Sequence, residues 1–348
     1  MTTRAPSQAS TTDAPGDRAV PPPSLGDAIG TGTGSRRETT RPTADLADPV
    51  EPPIRFTLAG GRIGVVGLRE YLRTVVDAGL WLVLAPIPVR VFWRCGGRRT
   101  AVWALRVWAR GVARALRLRI DLEGLERIDP GEAYVVVPLH EGFADVLALL
   151  RLPLRLRFVV RDEFAGWPLL GAFLRDTGQV LVRPEDGARA YRRMVRAAPE
   201  VFAAGESFVV FPQGSILGIE TDFLRGAFGL AAALDRPLLP VALTGGHRVW
   251  EHPYTPRLRR GERMSLRVLP PVPAAEIRSR GAEAVRREVR RRLKAEALGG
   301  AMAPPRRFVP ARDGYWDGYA YEIDPDFSAL AAEVAARRHA RAAPGPSG

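Results

Sequence analysis

From Leu118 onward the hydrophobic pattern of the chain keeps switching between a period of two and a period of 3.6, and this alternation constrains the fold more than any other feature. LRIDLEGLERI reads as a strand and turn, AYVVVP as a buried strand and ADVLALLRL as a helix. LRLRFVV alternates as a strand does, WPLLGAFLRDTG reads as a short helix, and QVLVR as the next strand. AYRRMVRAAPEVFAAG is then a helix ended by Gly205, SFVVFP a buried strand, GAFGLAAALDR a helix and PLLPVAL a further strand. Strands that alternate with helices and carry continuous apolar runs belong to an α/β fold, here a largely parallel sheet covered by helices. RMSLRVLPPV adds a strand, and AEAVRREVRRRLKAEAL a late, basic helix. The α/β domain is expected over residues 118–298.

The flanks differ in character. Residues 1–53 are rich in Thr, Pro, Gly, Ser and Asp and hold few large apolar side chains, so a disordered N-terminal tail is expected. Residues 54–117 form an apolar and amphipathic segment that reads as helical from Ile63, rich in Trp and Arg. Leu80–Trp93 is strongly apolar but contains Pro86, Pro88 and Arg90, and falls short of the ~20 apolar residues that cross a bilayer. Beyond it Arg106, Arg110 and Arg114 recur every four residues. Val102, Leu105, Val112 and Leu116 lie largely away from that stripe, and Trp103 and Trp108 add amphipathic rings. This pattern suits a helix lying at a membrane interface, the plainer alternative being an ordinary helix with one solvated basic face. Residues 299–348 form a C-terminal extension, partly disordered.

Charge and cysteine content narrow the function classes. The formal net charge is +13, carried almost entirely by arginine, Lys294 being the only lysine. Such a surface favours anionic partners, but no nucleic-acid-binding motif accompanies the charge, so no nucleic-acid partner is expected. A single cysteine, Cys95, excludes an internal disulfide and argues against a thiolate zinc site. His247, His252 and His339 lack metal-ligand spacing and read as structural or solvent-facing, so no metal is expected. The N-terminus lacks the apolar stretch of a secretory signal, and a cytosolic environment is the default.

One histidine stands differently. His140 follows the strand AYVVVP, and Asp145 opens the next apolar run, in LHEGFAD. Active groups in open α/β sheets gather beyond the carboxyl ends of strands. Five residues of straight helix rotate by about 140° net, so the two side chains meet only across a turn, which Gly142 makes easy. Asp145 would then fix the imidazole tautomer and leave the other ring nitrogen to take a proton. Simple N-capping by Asp145 and a satisfied core histidine are the competing explanations.

The spacing His140-x4-Asp145 resembles the first motif of the glycerophospholipid acyltransferase family, which includes glycerol-3-phosphate and lysophosphatidic acid acyltransferases. Three further blocks follow in order. RDEFAGWPLLGAFLRDTGQVLVRP is similar to the second, with Arg161, Glu163, Pro168, Gly171, Gly178 and Arg183 at matching places. FVVFPQGS resembles the third, Phe-Pro-Glu-Gly-Thr-Arg, with FLRGAFGLA as its continuation, and PLLPVAL resembles the fourth.

The resemblance implies an O-acyltransferase that moves a fatty acyl group from an acyl thioester to a hydroxyl of a lysophospholipid or related glycerolipid. His140 would be general base and Asp145 its orienter, as in the His-Asp half of a serine triad. Backbone amides near Gly214 are the candidate oxyanion donors. Arg161, Arg183 and Arg225, with Gln213, Gly214 and Ser215, are the candidate substrate-binding residues. No cofactor is implied beyond the co-substrate, acyl-CoA or acyl-carrier protein. The expected partners are donor, acceptor and a membrane surface, with the chain peripheral or monotopic at the cytoplasmic face. The third block departs from the pattern: Gln213 replaces Glu, Ser215 replaces Thr and Ile216 replaces Arg. The lost cation points to an acceptor other than glycerol 3-phosphate or lysophosphatidic acid, or to a phosphate bound through other arginines. A lipid hydrolase using Ser215 is the rival enzyme, although QGSILG is not a G-x-S-x-G elbow. A non-catalytic lipid-binding protein of the same fold is the other alternative. The aromatic and acidic stretch RDGYWDGYAYEIDP either packs on the core or covers the acceptor site.

Overall fold

The structure is a computed structural model that describes residues 54–58, 61–65, 86–167, 169–216, 218–250, 258–299 and 322–342, with a few positions between 69 and 77. The N-terminal tail, residues 80–85, Pro168, His252 and most of RDGYWDGYAYEIDP lie outside the described residues.

Two short strands, β1 (Ile54–Leu58) and β2 (Gly61–Val65), pair antiparallel. Ile63 to Val65 are therefore extended, not helical as their apolar character suggested. The apolar residues here alternate about a Gly-Gly pair, which is a hairpin signal. The long helix α1 (Pro86–Ala115) follows and bends at Gly97, whose φ of 68° is non-helical.

The main sheet has seven strands: β3 (Arg119–Glu123), β4 (Val135–Pro138), β5 (Leu156–Arg161), β6 (Val180–Val182), β7 (Ser207–Val209), β8 (Leu238–Thr244) and β9 (Arg263–Val268). Their spatial order is β3-β9-β8-β4-β7-β5-β6. The five strands from β8 to β6 run parallel. β9 pairs antiparallel to β8 and parallel to β3, so those two run the other way.

The helices are α2 (Asp145–Leu149), α3 (Leu170–Asp176), α4 (Ala188–Ala203), α5 (Gly226–Ala233), α6 (Gly246–Val249), α7 (Ala274–Arg280), α8 (Ala282–Gly299) and α9 (Ser328–Ala342). Strand β4 shows how sequence period builds the layers. Successive side chains of a strand point to opposite faces. Val135, Val137 and Leu139 accordingly join one core, with Met194 and Val201 of α4, Phe228 and Leu230 of α5, and Val289 and Leu293 of α8. Val136 joins the other, with Val112 of α1 and Leu147 and Leu149 of α2. All four β4 side chains are buried, and burial of each such valine is worth roughly 1.5–3 kcal/mol. On α4, Ala190, Met194, Ala198 and Val201 recur at helical spacing on the buried face, while Arg192, Arg193 and Arg196 between them are exposed.

Helix α1 packs through Val112, and Leu116 just past its end joins the same core, as the pattern expects. The arginine stripe is divided, however. Arg106 turns inward and donates to the carbonyls of Leu152 and Leu154 at 3.2 and 2.5 Å. Burial, with a contribution from Arg110, holds its pKa below the usual arginine value. Arg110 and Arg114 stay exposed. The outward face also bares Ile87, Val91, Phe92, Trp103 and Val107, an apolar strip flanked by cations. Among the described residues no helix is long and apolar enough to cross a membrane.

Candidate active site

The parallel strands β4, β7, β5 and β6 lie side by side in the sheet, and each carries a candidate residue at or just past its carboxyl end. His140 follows β4, Gln213 to Ser215 follow β7, Arg161 ends β5 and Arg183 follows β6. One edge of the sheet thus gathers residues that are up to 75 positions apart in sequence, counted from His140 to Ser215.

His140 Nδ1 lies 2.8 Å from Asp145 Oδ2. The same oxygen accepts the main-chain N–H of Glu141 at 2.7 Å and of Gly142 at 3.0 Å. Asp145 is fully buried. It does not cap its own helix, whose N-cap is Ala144; it reaches back and closes the turn that follows β4. A carboxylate only accepts. The imidazole proton therefore sits on Nδ1, and Nε2 presents a lone pair. The ring stacks on Phe211, with centroids 3.9 Å apart, and its side chain keeps 17% exposure.

The buried side chain of Gln213 uses both ends of its amide. Its Oε1 accepts the His140 main-chain N–H at 3.0 Å, and its Nε2 donates to Gly218 O at 2.7 Å. Gly218 N–H in turn donates to His140 O at 3.2 Å. The third block is thereby tied to the backbone of the histidine. A carboxylate at position 213 would lack the donor that Gly218 O receives, so the change from Glu to Gln fits this local structure.

The other candidates fall into two groups. Arg161 joins the cluster, donating to Gly214 O at 3.2 Å and to Glu185 Oε1 at 2.6 Å, with Glu163 at 3.3 Å. It knits the ends of β5, β6 and β7. Arg183 is more exposed and pairs with Asp162 at 3.2 Å; that hydrogen bond raises its pKa. Arg225 stands apart, 84% exposed and paired with Glu283 of α8 at 3.5 Å. Ser215 and Ile216 are half-buried beside the turn. Gly214 takes a positive φ of 65°, and its N–H donates to Phe211 O at 3.2 Å.

Three residues escaped the sequence pattern. Glu141 is buried and accepts Gly245 N–H at 2.7 Å; its Oε2 also lies 2.9 Å from His247 Nδ1. His247 is thus a structural partner of the motif turn, one of the two readings its sequence context left open. Gly246 packs against Asp145 so closely that any Cβ there would overlap Oδ1. The available signal was the Thr-Gly-Gly-His run at the end of β8, where paired glycines mark a close approach of backbones. Among the described residues no group of His, Cys, Asp and Glu is arranged to hold a metal ion.

A buried acid thus aligns a histidine at the strand ends of a mostly parallel sheet. Residues 119–244 match the family model Acyltransferase. Bovine (Bos taurus) 1-acyl-sn-glycerol-3-phosphate acyltransferase alpha is 29% identical over 163 residues, 45% of this chain and 55% of that protein. The lyso-ornithine lipid O-acyltransferase of Rhodobacter capsulatus is 34% identical over 183 residues, 51% of this chain and 61% of that protein. The chain thus spans just over half the length of such curated relatives. The crystal structure of the 1-acyl-sn-glycerophosphate acyltransferase PlsC from Thermotoga maritima superposes with a TM-score of 0.55 at 19% identity, over 68% of this chain and 98% of that one. That likeness shows a shared fold.

Proposed function

We propose that the protein is an O-acyltransferase that moves a fatty acyl group from an acyl thioester, acyl-CoA or acyl-carrier protein, to a hydroxyl of a lysolipid. The observation that carries this reading is the 2.8 Å contact between His140 Nδ1 and the buried Asp145. His140 Nε2 takes the proton of the acceptor hydroxyl as its oxygen attacks the thioester carbonyl. The tetrahedral intermediate collapses, the C–S bond breaks, and the imidazolium returns the proton to the departing thiolate. Asp145 holds the ring and stabilises its protonated form. No acyl-enzyme is required, and Ser215 has no nucleophilic role.

The acceptor in this reading lacks a phosphate monoester. Ile216 stands where the third block usually has a cation, and the nearby arginines already face carboxylates, Arg161 with Glu163 and Glu185, and Arg183 with Asp162. The Rhodobacter relative, named for lyso-ornithine lipid, supports the same direction. The exposed strip of α1 from Ile87 to Val107 would rest on the membrane, with Arg110 and Arg114 toward anionic headgroups, so the chain would be peripheral or monotopic at the cytoplasmic face. Thiol release and acylated product are measured with acyl-CoA and a panel of lyso-ornithine lipid, lysophosphatidic acid and other lysolipids. Turnover with lysophosphatidic acid far above every other acceptor would sink the acceptor assignment. Free fatty acid in place of acylated lipid would sink the transferase itself in favour of a hydrolase.

A further inference from the structure

The catalytic turn carries a second carboxylate that the proposed reaction does not use. Glu141 sits between His140 and Gly142, and its main-chain N–H is one of the donors to Asp145 Oδ2. Its side chain, 1% exposed, goes the other way. Oε2 accepts Gly245 N–H at 2.7 Å and faces His247 Nδ1 at 2.9 Å. Gly245 links β8 to α6 and His247 lies in α6, more than 100 residues along the chain, since His247 is 106 positions from Glu141.

That segment is what confines the free side of the catalytic acid. Asp145 Oδ2 takes three donors, but Oδ1 is buried with no hydrogen-bond partner and abuts Gly246. The two loops interlock without spare room: a Cβ on Gly142 would come within 2.9 Å of the carbonyl oxygens of Gly246 and Trp250. Phe143 and Trp250 continue the contact outward, their rings 5.2 Å apart. Within this packing, Glu141 supplies the buried polar tie between the turns. A group with two hydrogen bonds to one loop, standing one residue from the base, holds that loop in register with the acid.

We infer that the Glu141–His247 pair is a positioning latch, which holds the Gly245–Trp250 turn against Asp145 and so fixes the carboxylate and the imidazole it aligns. Glu141 and His247 are positioning residues; neither touches a reacting atom. The inference rests on the assignment of His140 and Asp145 as the proton-transfer pair.

The test uses the full-length protein with E141L, which removes both acceptor contacts at similar volume, and E141Q, whose amide oxygen can still accept them. Two readouts are taken: kcat and KM for acyl-CoA and the lysolipid, and the proton resonance of His140 Nδ1–H, assigned by its absence in H140A. The latch predicts that E141L lowers kcat on the order of 10²-fold with little change in either KM, and loses or broadens the resonance. E141Q recovers most of the lost kcat and the resonance. Should E141L fail to fold, H247Q loosens the same tie from the other loop and is expected to lower kcat and disturb the resonance. Wild-type kcat with an intact resonance in E141L, or in H247Q where it stands in, overturns the latch. So does an E141Q as damaged as E141L, because the charge and not the tie would then be what matters. If the wild-type protein transfers no acyl group, the functional reading fails, and the resonance still decides the latch by its loss in E141L and return in E141Q.

Discussion

Gly246→Ala is the smallest change that reaches Asp145, the proposed orienting carboxylate, without altering any group proposed to react. An ideal Cβ on Gly246 would overlap Asp145 Oδ1 and stand only 3.0 Å from Asp145 Cγ, where an ordinary contact is 3.4–4 Å. Neither side can easily yield. The Asp145 carboxylate is fully buried and held by three donors on Oδ2, and Gly246 is buried behind the Glu141 tie. Relief of the clash therefore moves the carboxylate by about 1 Å, a misplacement that costs roughly 10²-fold in rate, or ~2.7 kcal/mol of barrier. Neither substrate is proposed to touch Gly246, so the loss falls on kcat, with both KM values near wild type. The assay is thiol release from acyl-CoA under saturating lysolipid, with circular dichroism and thermal unfolding to confirm that the variant is folded. Wild-type kcat in a folded G246A would refute the reasoning, because the acid would then tolerate displacement or would not orient the base.

Further predictions follow from the same geometry. Gln213→Glu removes the Nε2 donor to Gly218 O and leaves a carboxylate facing a buried carbonyl, at a cost of about 1–3 kcal/mol. The introduced group should have a raised folded-state pKa, so stability relative to wild type is best below the unfolded value of about 4.3 and is lost as pH rises through the folded value; a midpoint deficit relative to wild type that is the same at pH 4 and pH 8 would contradict this. Lys294→Met strands Asp324, which is fully buried and bonded to the Lys294 ammonium and, at 3.1 Å, to Arg290. Breaking such a pair costs about 3–5 kcal/mol, and the retained Arg290 places the expected loss at the lower end, measurable by urea denaturation. Trp103→Glu combined with Val107→Glu puts charge on the exposed strip of α1, and cosedimentation with anionic vesicles should fall while soluble-donor binding persists.

Much of the fold was legible because the domain is built from local alternations. The period change at each element of 118–298 is a property of short windows, and the strand-end position of His140 follows from the apolar run before it. The direction of β9 was not legible. A connection of unspecified path lets the next strand run either way, and β9 pairs antiparallel to β8 and parallel to β3. In β1 and β2 the alternation was present, but the neighbouring Trp- and Arg-rich helical character obscured it. At the site, the pair His140 and Asp145 was readable because both lie in one turn. The ties of Glu141 to His247 and of Lys294 to Asp324 join distant segments, and no local pattern in the sequence pairs these residues. The division of Arg106 from Arg110 and Arg114 depended on which carbonyls the packed helix meets, Leu152 and Leu154, and no periodicity reveals that.

The central claim is that His140, aligned by Asp145, removes a proton from a lysolipid hydroxyl during acyl transfer. Its most direct test is thiol release from acyl-CoA, followed together with acylated lipid, in wild type and in a folded H140A variant. The account predicts acceptor-dependent release in the wild type with one acylated lipid formed per thiol, and a loss of roughly 10²–10⁴-fold in H140A, the range of general acid–base catalysis. Acceptor-dependent transfer that persists undiminished in H140A would contradict it.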